Sequence, residues 1–181
     1  MMRYTRKSPV DRPDLSASDA DLERWMDHAL GLASMAARNG EVPVGAVLLS
    51  ATGQLIAEAV NTPIAQCDPT AHAELAVLRK GALATGNYRL TGTTLLVTLE
   101  PCAMCAGAIC HARIGHLVYG ADDPKGGAVR HGATLFDQVT THHRPRVTAG
   151  IRADESAALL RSFFAERRAM TRPRRHGESG P

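Results

Sequence analysis

The side chains best able to do chemistry together lie in two short strings, His72-Ala73-Glu74 and Pro101-Cys102-Ala103-Met104-Cys105. One imidazole and two thiols make a full set of protein ligands for a catalytic zinc, three arms of a tetrahedron with the fourth position left to water. A Cys-x-x-Cys pair at a helix start can place both sulfurs on one ion, and the positive end of the helix favours the thiolates that zinc needs. Zinc lowers the pKa of such a water toward ~7. A carboxylate two residues from the histidine, Glu74, is placed to take its proton and deliver it to a leaving group. A Cys-x-x-Cys pair also serves redox and structural sites, but neither use calls for His-x-Glu, and Cys67 and Cys110 make no second such pair. Cys110 reads as a small core residue of an Ala/Ile-rich helix and Cys67 as a loop or partly buried thiol.

These strings need elements to hold them. Ser18 is a candidate N-cap, after which Leu22, Trp25, Met26, Ala29, Ala33 and Ala36 recur at helical spacing until Gly40. Val44–Leu49 and Leu55–Val60 read as strands joined by the turn Ala51-Thr52-Gly53. Pro69-Thr70 is a candidate cap for a helix over Ala71–Leu83, followed by a strand Thr93–Leu99, a helix Cys102–Ala112 and a strand His116–Tyr119. Arg146–Ile151 is the last plausible strand, and a final helix opens at Asp154-Glu155 with Ala158, Leu159, Ser162, Phe163 and Ala165 toward the core. Strands alternating with helices give an α/β class. Residues 1–17 read as a flexible lead-in, 18–170 as one domain and 171–181 as a basic flexible tail.

The chain has 181 residues, 44% hydrophobic and 22% charged, which fits one globular domain and excludes collagen and wholesale disorder. No apolar run approaches the ~20 residues of a membrane span, so no membrane partner is expected. The basic start lacks an apolar stretch behind it, so the expected location is the cytoplasm, where the four cysteines stay reduced. Net charge is only +3, but Arg161, Arg167, Arg168, Arg172, Arg174 and Arg175 crowd one end and could meet phosphate.

His-x-Glu followed by Pro-Cys-x-x-Cys is the signature of the zinc nucleobase deaminases. The likeness extends to Glu41–Ala46, Asn61–Ile64, Asp68–Glu74, Asn87–Leu90 and Thr98–Ala108. Together these strings resemble the bacterial tRNA-specific adenosine deaminases, which make inosine at the wobble position. The resemblance implies a cytidine deaminase-like three-layer α/β/α fold with a central mixed five-stranded sheet, one zinc per chain, a homodimer, and a tRNA anticodon loop as partner. It implies His72, Cys102 and Cys105 as zinc ligands, Glu74 as proton shuttle and Asn61 as the side chain holding the flipped nucleotide. Val44, Ala73, Leu99 and Pro101 fall at base-pocket positions, Asp123 and Lys125 at RNA-contact positions, and Phe164 in the matching last helix.

The segment Val129–Pro145 departs from that pattern: Val129–Asp137 and His142-His143-Arg144-Pro145 replace a Gly-Ser-Leu segment and an Asn-His pair. This motivates a second reading, the same chemistry on a free nucleobase or nucleoside such as guanine, adenosine, cytidine or a specialised metabolite. A third, non-catalytic RNA-binding module with structural zinc would have no use for Glu74.

Overall fold

The computed structural model describes residues 18–171; the expected lead-in and the arginines at 172, 174 and 175 lie outside them. Helix α1 (Asp19–Arg38) starts where Ser18 Oγ accepts the Asp21 N–H at 3.2 Å, which satisfies one of the helix's orphan donors. Its Leu22, Met26, Ala29, Leu32, Ala33 and Ala36 form one buried stripe, as their spacing requires. Gly40, at φ +79°, ends the helical path.

The chain continues as β1 (Gly45–Leu49), β2 (Leu55–Val60), a single turn α2 (Pro63–Gln66), α3 (Ala73–Thr85), β3 (Thr94–Leu99), α4 (Ala103–Ala112), β4 (His116–Ala121), a 3₁₀ turn (Leu135–Asp137), β5 (Arg146–Ala149) and α5 (Ala153–Thr171). The strands form one mixed sheet in the order β2-β1-β3-β4-β5. β1 is antiparallel to both β2 and β3, whereas β3, β4 and β5 run parallel. Helices α1 and α5 cover one face, α3 and α4 the other. The three central strands are buried along almost their whole length and mostly apolar because both faces are covered. Ala46, Leu48, Leu95, Val97, Leu117 and Tyr119 join the core under α3 and α4, while Val47, Leu49, Leu96 and Val118 join the core under α1. This is the three-layer α/β/α fold expected. Helix and strand backbones approach closely at Gly45, where an added methyl would meet the backbone of Ala29 and Ala33.

Several boundaries differ from the sequence reading. Helix α3 starts at Ala73 with His72 as its N-cap, not at Ala71, because Asp68 Oδ1 takes both the N–H and the hydroxyl of Thr70 at 2.7 Å and closes a turn there. The last strand stops at Ala149, since Gly150 turns away at φ +88°. On α5 the buried positions are Ser156 and Phe163, with Ala158, Ser162 and Ala165 exposed. The α2 turn and the 3₁₀ turn had no legible period. Cys67 is the exposed turn residue after α2, at φ +49°, which is the loop position of its two readings, and Cys110 is half-buried against the core.

One buried polar group gives the fold a pH dependence. His116 is fully buried in β4, where Arg146 donates to its Nδ1 at 3.0 Å and its Nε2–H donates to Thr148 Oγ1 at 2.9 Å. This pattern demands the neutral ring. Burial, and then the Arg146 charge, hold its pKa down at about 4 against an ordinary 6.5. A depressed histidine pKa contributes stability that is complete above ~6.5 and is lost as pH falls toward 4. Unfolding titrations in urea should therefore show stability declining from pH 7 to pH 4 by up to about 3 kcal/mol. The decline should flatten in His116→Gln; an unchanged slope in that variant would refute the assignment.

Candidate active site

Strand β3 ends at Leu99, Pro101 is buried, and Cys102 then serves as N-cap of α4, with Cys105 in its first turn. On the neighbouring side β2 delivers Asn61, and the turn at Asp68–Thr70 delivers His72 as N-cap of α3. Two helix N-termini thus converge, and their dipoles favour anionic sulfur and carboxylate at the meeting point. His72 Nδ1 stands 3.8 Å from Cys102 Sγ and 3.6 Å from Cys105 Sγ. A tetrahedral zinc with bonds of ~2.3 Å to sulfur and ~2.0 Å to nitrogen needs N···S separations of about 3.5 Å. The three donors therefore fit zinc and could hold it.

The two thiols are unequal. A hydrogen bond from Cys105 is the main cause pulling Cys102 down to about 5, helped by backbone N–H groups and the His72 charge. The same S–H···S hydrogen bond, with burial, pushes Cys105 up. The pair shares one proton, and a divalent cation is the charge that would release it.

Glu74 lies in the first turn of α3, only 4% exposed. Burial raises its pKa, which suits a carboxyl that must hold a proton and give it up. Asn61 is buried, and its Oδ1 accepts the Ala73 N–H at 2.8 Å. The donor N–H fixes the orientation of the amide and leaves the Asn61 NH₂ as its donor side. Asn61 is thus a cap for α3 supplied from another segment, fixing the helix start that carries His72 and Glu74. Val44 and Ala73 are buried beside it, the Asn61 N–H reaching the Val44 carbonyl at 3.1 Å.

Leu99, Asp123 and Phe164 do not lie among the zinc-type donors. They line a separate surface depression of about 220 Å³ together with Asp122, Leu160 and Arg161. Asp123 Oδ1 accepts the N–H groups of Lys125 and Gly126, both at 3.1 Å, so its carboxylate shapes the turn on which Lys125 is exposed. Arg167 is not an open phosphate arm: it donates to the Gly40 carbonyl at 2.6 Å and stacks on Phe163, tying α5 to the end of α1.

The family model for the cytidine and deoxycytidylate deaminase zinc-binding region matches residues 19–121, which include every residue of the His72–Glu74–Cys102–Cys105 cluster. The chain belongs to this deaminase family. It is 50% identical over 149 residues to the tRNA-specific adenosine deaminase of Agrobacterium fabrum, covering 82% of this chain and 97% of that one. It is likewise 50% identical to the tRNA-specific adenosine deaminase of Haemophilus influenzae, covering 81% and 84%. A solved structure from a study of A-to-I editing by tRNA deaminases at the wobble position superposes with a TM-score of 0.74 at 50% identity, over 76% of this chain and 99% of that one.

Sequence reasoning missed two buried carboxylates that build this deaminase site. Glu41, 3% exposed, accepts the N–H groups of Ile64 and Ala65 at 3.3 and 2.8 Å and so anchors the turn following Asn61. Glu100, 2% exposed, accepts N–H groups from Asp123, Val129, Arg130 and His131 at 2.8–3.1 Å. Burial alone would raise its pKa, but these donors hold it at about 2. The available signal was a charged residue inside an otherwise apolar string, Leu99-Glu100-Pro101 and Gly40-Glu41-Val42-Pro43, since a buried charge must find partners.

Proposed function

We propose that this chain hydrolyses adenosine to inosine at the wobble position of a tRNA, with one zinc held by His72, Cys102 and Cys105. The observation that carries the reading is the convergence of these three donors with a buried Glu74, in a chain half-identical to tRNA-specific adenosine deaminases along most of their length. When bound, zinc supplies a water acidic enough to react at neutral pH. Glu74 accepts the proton of that water as its oxygen adds to C6 of the extruded adenine. It hands that proton to the ring nitrogen, then takes the proton of the new C6 hydroxyl and passes it to the departing amine, so that adenosine and water become inosine and ammonia. The Asn61 NH₂ holds the nucleotide, Val44, Ala73 and Pro101 wall the base, and Lys125, together with Leu99, Asp123 and Phe164 of the separate depression, meets the flanking RNA. Extrusion is inexpensive because loop bases are already partly unstacked.

The working unit is proposed to be a homodimer in the cytoplasm. The α3–α4 layer and the loop after α3 leave Leu83, Tyr88 and Met104 exposed, apolar side chains that a second copy would cover. No helix among the described residues is long and apolar enough to cross a membrane.

An RNA substrate makes the rate salt-dependent. Three phosphate contacts to single-stranded loop would lower kcat/KM on an anticodon hairpin about twentyfold between ~50 and ~200 mM salt, whereas a free neutral base releases no counterions. A rate on the hairpin indifferent to salt would contradict the reading.

A further inference from the structure

The loop that leads into the divergent segment lies against the catalytic strand end. Ala128 donates its N–H to the Pro101 carbonyl at 2.9 Å, and Gly127 bridges to Cys102. An added methyl at Gly127 would strike the Glu100 carboxylate, so glycine is required for this approach. The Glu100 carboxylate then gathers both ends of the loop. Its Oε2 takes the Asp123 N–H at 3.0 Å, and its Oε1 takes the N–H groups of Val129, Arg130 and His131. The fifth contact is the His131 ring, with Nδ1 2.7 Å from Oε2. Because the carboxylate can only accept, Nδ1 carries the proton. Five donors exhaust the acceptor capacity of one carboxylate, so Glu100, Asp122 and His131, though clustered, have no oxygen left over at Glu100 for a cation.

Four of the five donors are backbone groups that any sequence could supply; His131 is the side chain that closes the set. We propose that His131 is a positioning residue for the substrate. By saturating Glu100 it fixes the loop from Asp122 to His131, and with it Asp123 and Lys125, against the strand–helix junction that holds Cys102. The role rests on the RNA reading above, since it is the RNA-facing loop that is held. The chain's departure from the family pattern at 129–131 then supplies an anchor that holds this loop and is compatible with the same substrate.

The test uses full-length zinc-loaded protein. His131→Ala should lower kcat/KM on the anticodon hairpin about tenfold, the worth of one charge-assisted hydrogen bond, through a raised KM with kcat within about twofold. Zinc content should be unchanged, and amide hydrogen exchange should quicken at Asp123 and Val129–His131. Asn places its amide nitrogen where His has Nδ1, whereas Gln reaches to the position of Nε2. His131→Asn should therefore recover KM and slow exchange, and His131→Gln should not, a contrast that survives even if the alanine variant fails to fold. Unchanged KM and exchange in His131→Ala, or equal behaviour of the Asn and Gln variants, would overturn the role while an active wild type leaves the RNA reading standing. A wild type that ignores the hairpin and deaminates a free base would sink the RNA reading, and this role with it.

Discussion

Glu74→Gln is expected to retain one zinc per chain and to deaminate roughly a hundred to ten thousand times more slowly than wild type, the usual worth of a positioned acid–base group. Glutamine keeps the volume and hydrogen-bonding reach of the buried side chain at the start of α3, so packing and the neighbouring His72 cap are preserved. It cannot carry a proton from the attacking water to the leaving amine. Metal analysis and single-turnover inosine formation on the same preparation separate the two effects. Zinc retained with near-normal turnover would remove Glu74 from the chemistry, and zinc lost together with activity would make it a structural member of the site.

The second large effect is at the metal. Cys105→Ala removes a fully buried sulfur that stands 3.6 Å from His72 Nδ1. Two remaining donors do not hold the ion tightly, so zinc content should fall to background. Activity should drop by more than ~10⁴-fold, because a free water has a pKa of ~15.7 rather than ~7. Wild type should show the same coupling to stability: ligand binding to the folded state alone is worth about 4 kcal/mol at a thousandfold excess over Kd. Chelation should then lower Tm by roughly 10 °C for a domain of this size, and Cys105→Ala should show no such response. A chelator-sensitive Tm that persists in the variant would place the metal elsewhere.

Much of this molecule was legible because the informative residues obey local rules. Ser18 and the Leu22–Ala36 stripe define α1 by capping and period, and the central strands announce themselves as apolar runs too short for helices. His-x-Glu and Cys-x-x-Cys carry their chemistry in their spacing. What escaped is non-local. Helix α3 follows the Asp68–Thr70 turn, but its first N–H is taken by Asn61 from another segment, so the local residues marked the start only to within two positions. Glu41 and Glu100 looked like ordinary charges until the backbone N–H groups around them were seen, and no sequence period marks an N–H donor. The segment from Val129 to Pro145 lacks a regular period because Val129, Arg130 and His131 give their N–H groups to Glu100, and the residues after them close single turns, Thr134 onto His131, Asp137 onto Thr134 and Thr141 onto Gln138, instead of one helix or hairpin. Its departure from the family pattern raised the free-base alternative, yet the fold keeps it docked beside Cys102.

The measurement that bears most directly on the proposed activity is product analysis with zinc-loaded protein on an arginine-tRNA anticodon hairpin carrying a wobble adenosine. Free adenosine, adenine, guanine, cytosine and cytidine are run beside it. Inosine at the wobble position of the hairpin, with the free compounds untouched, is the expected result. Ammonia released from a free base or nucleoside while the hairpin stays unmodified would contradict it, and would mean that the His72–Glu74–Cys102–Cys105 site works on small molecules.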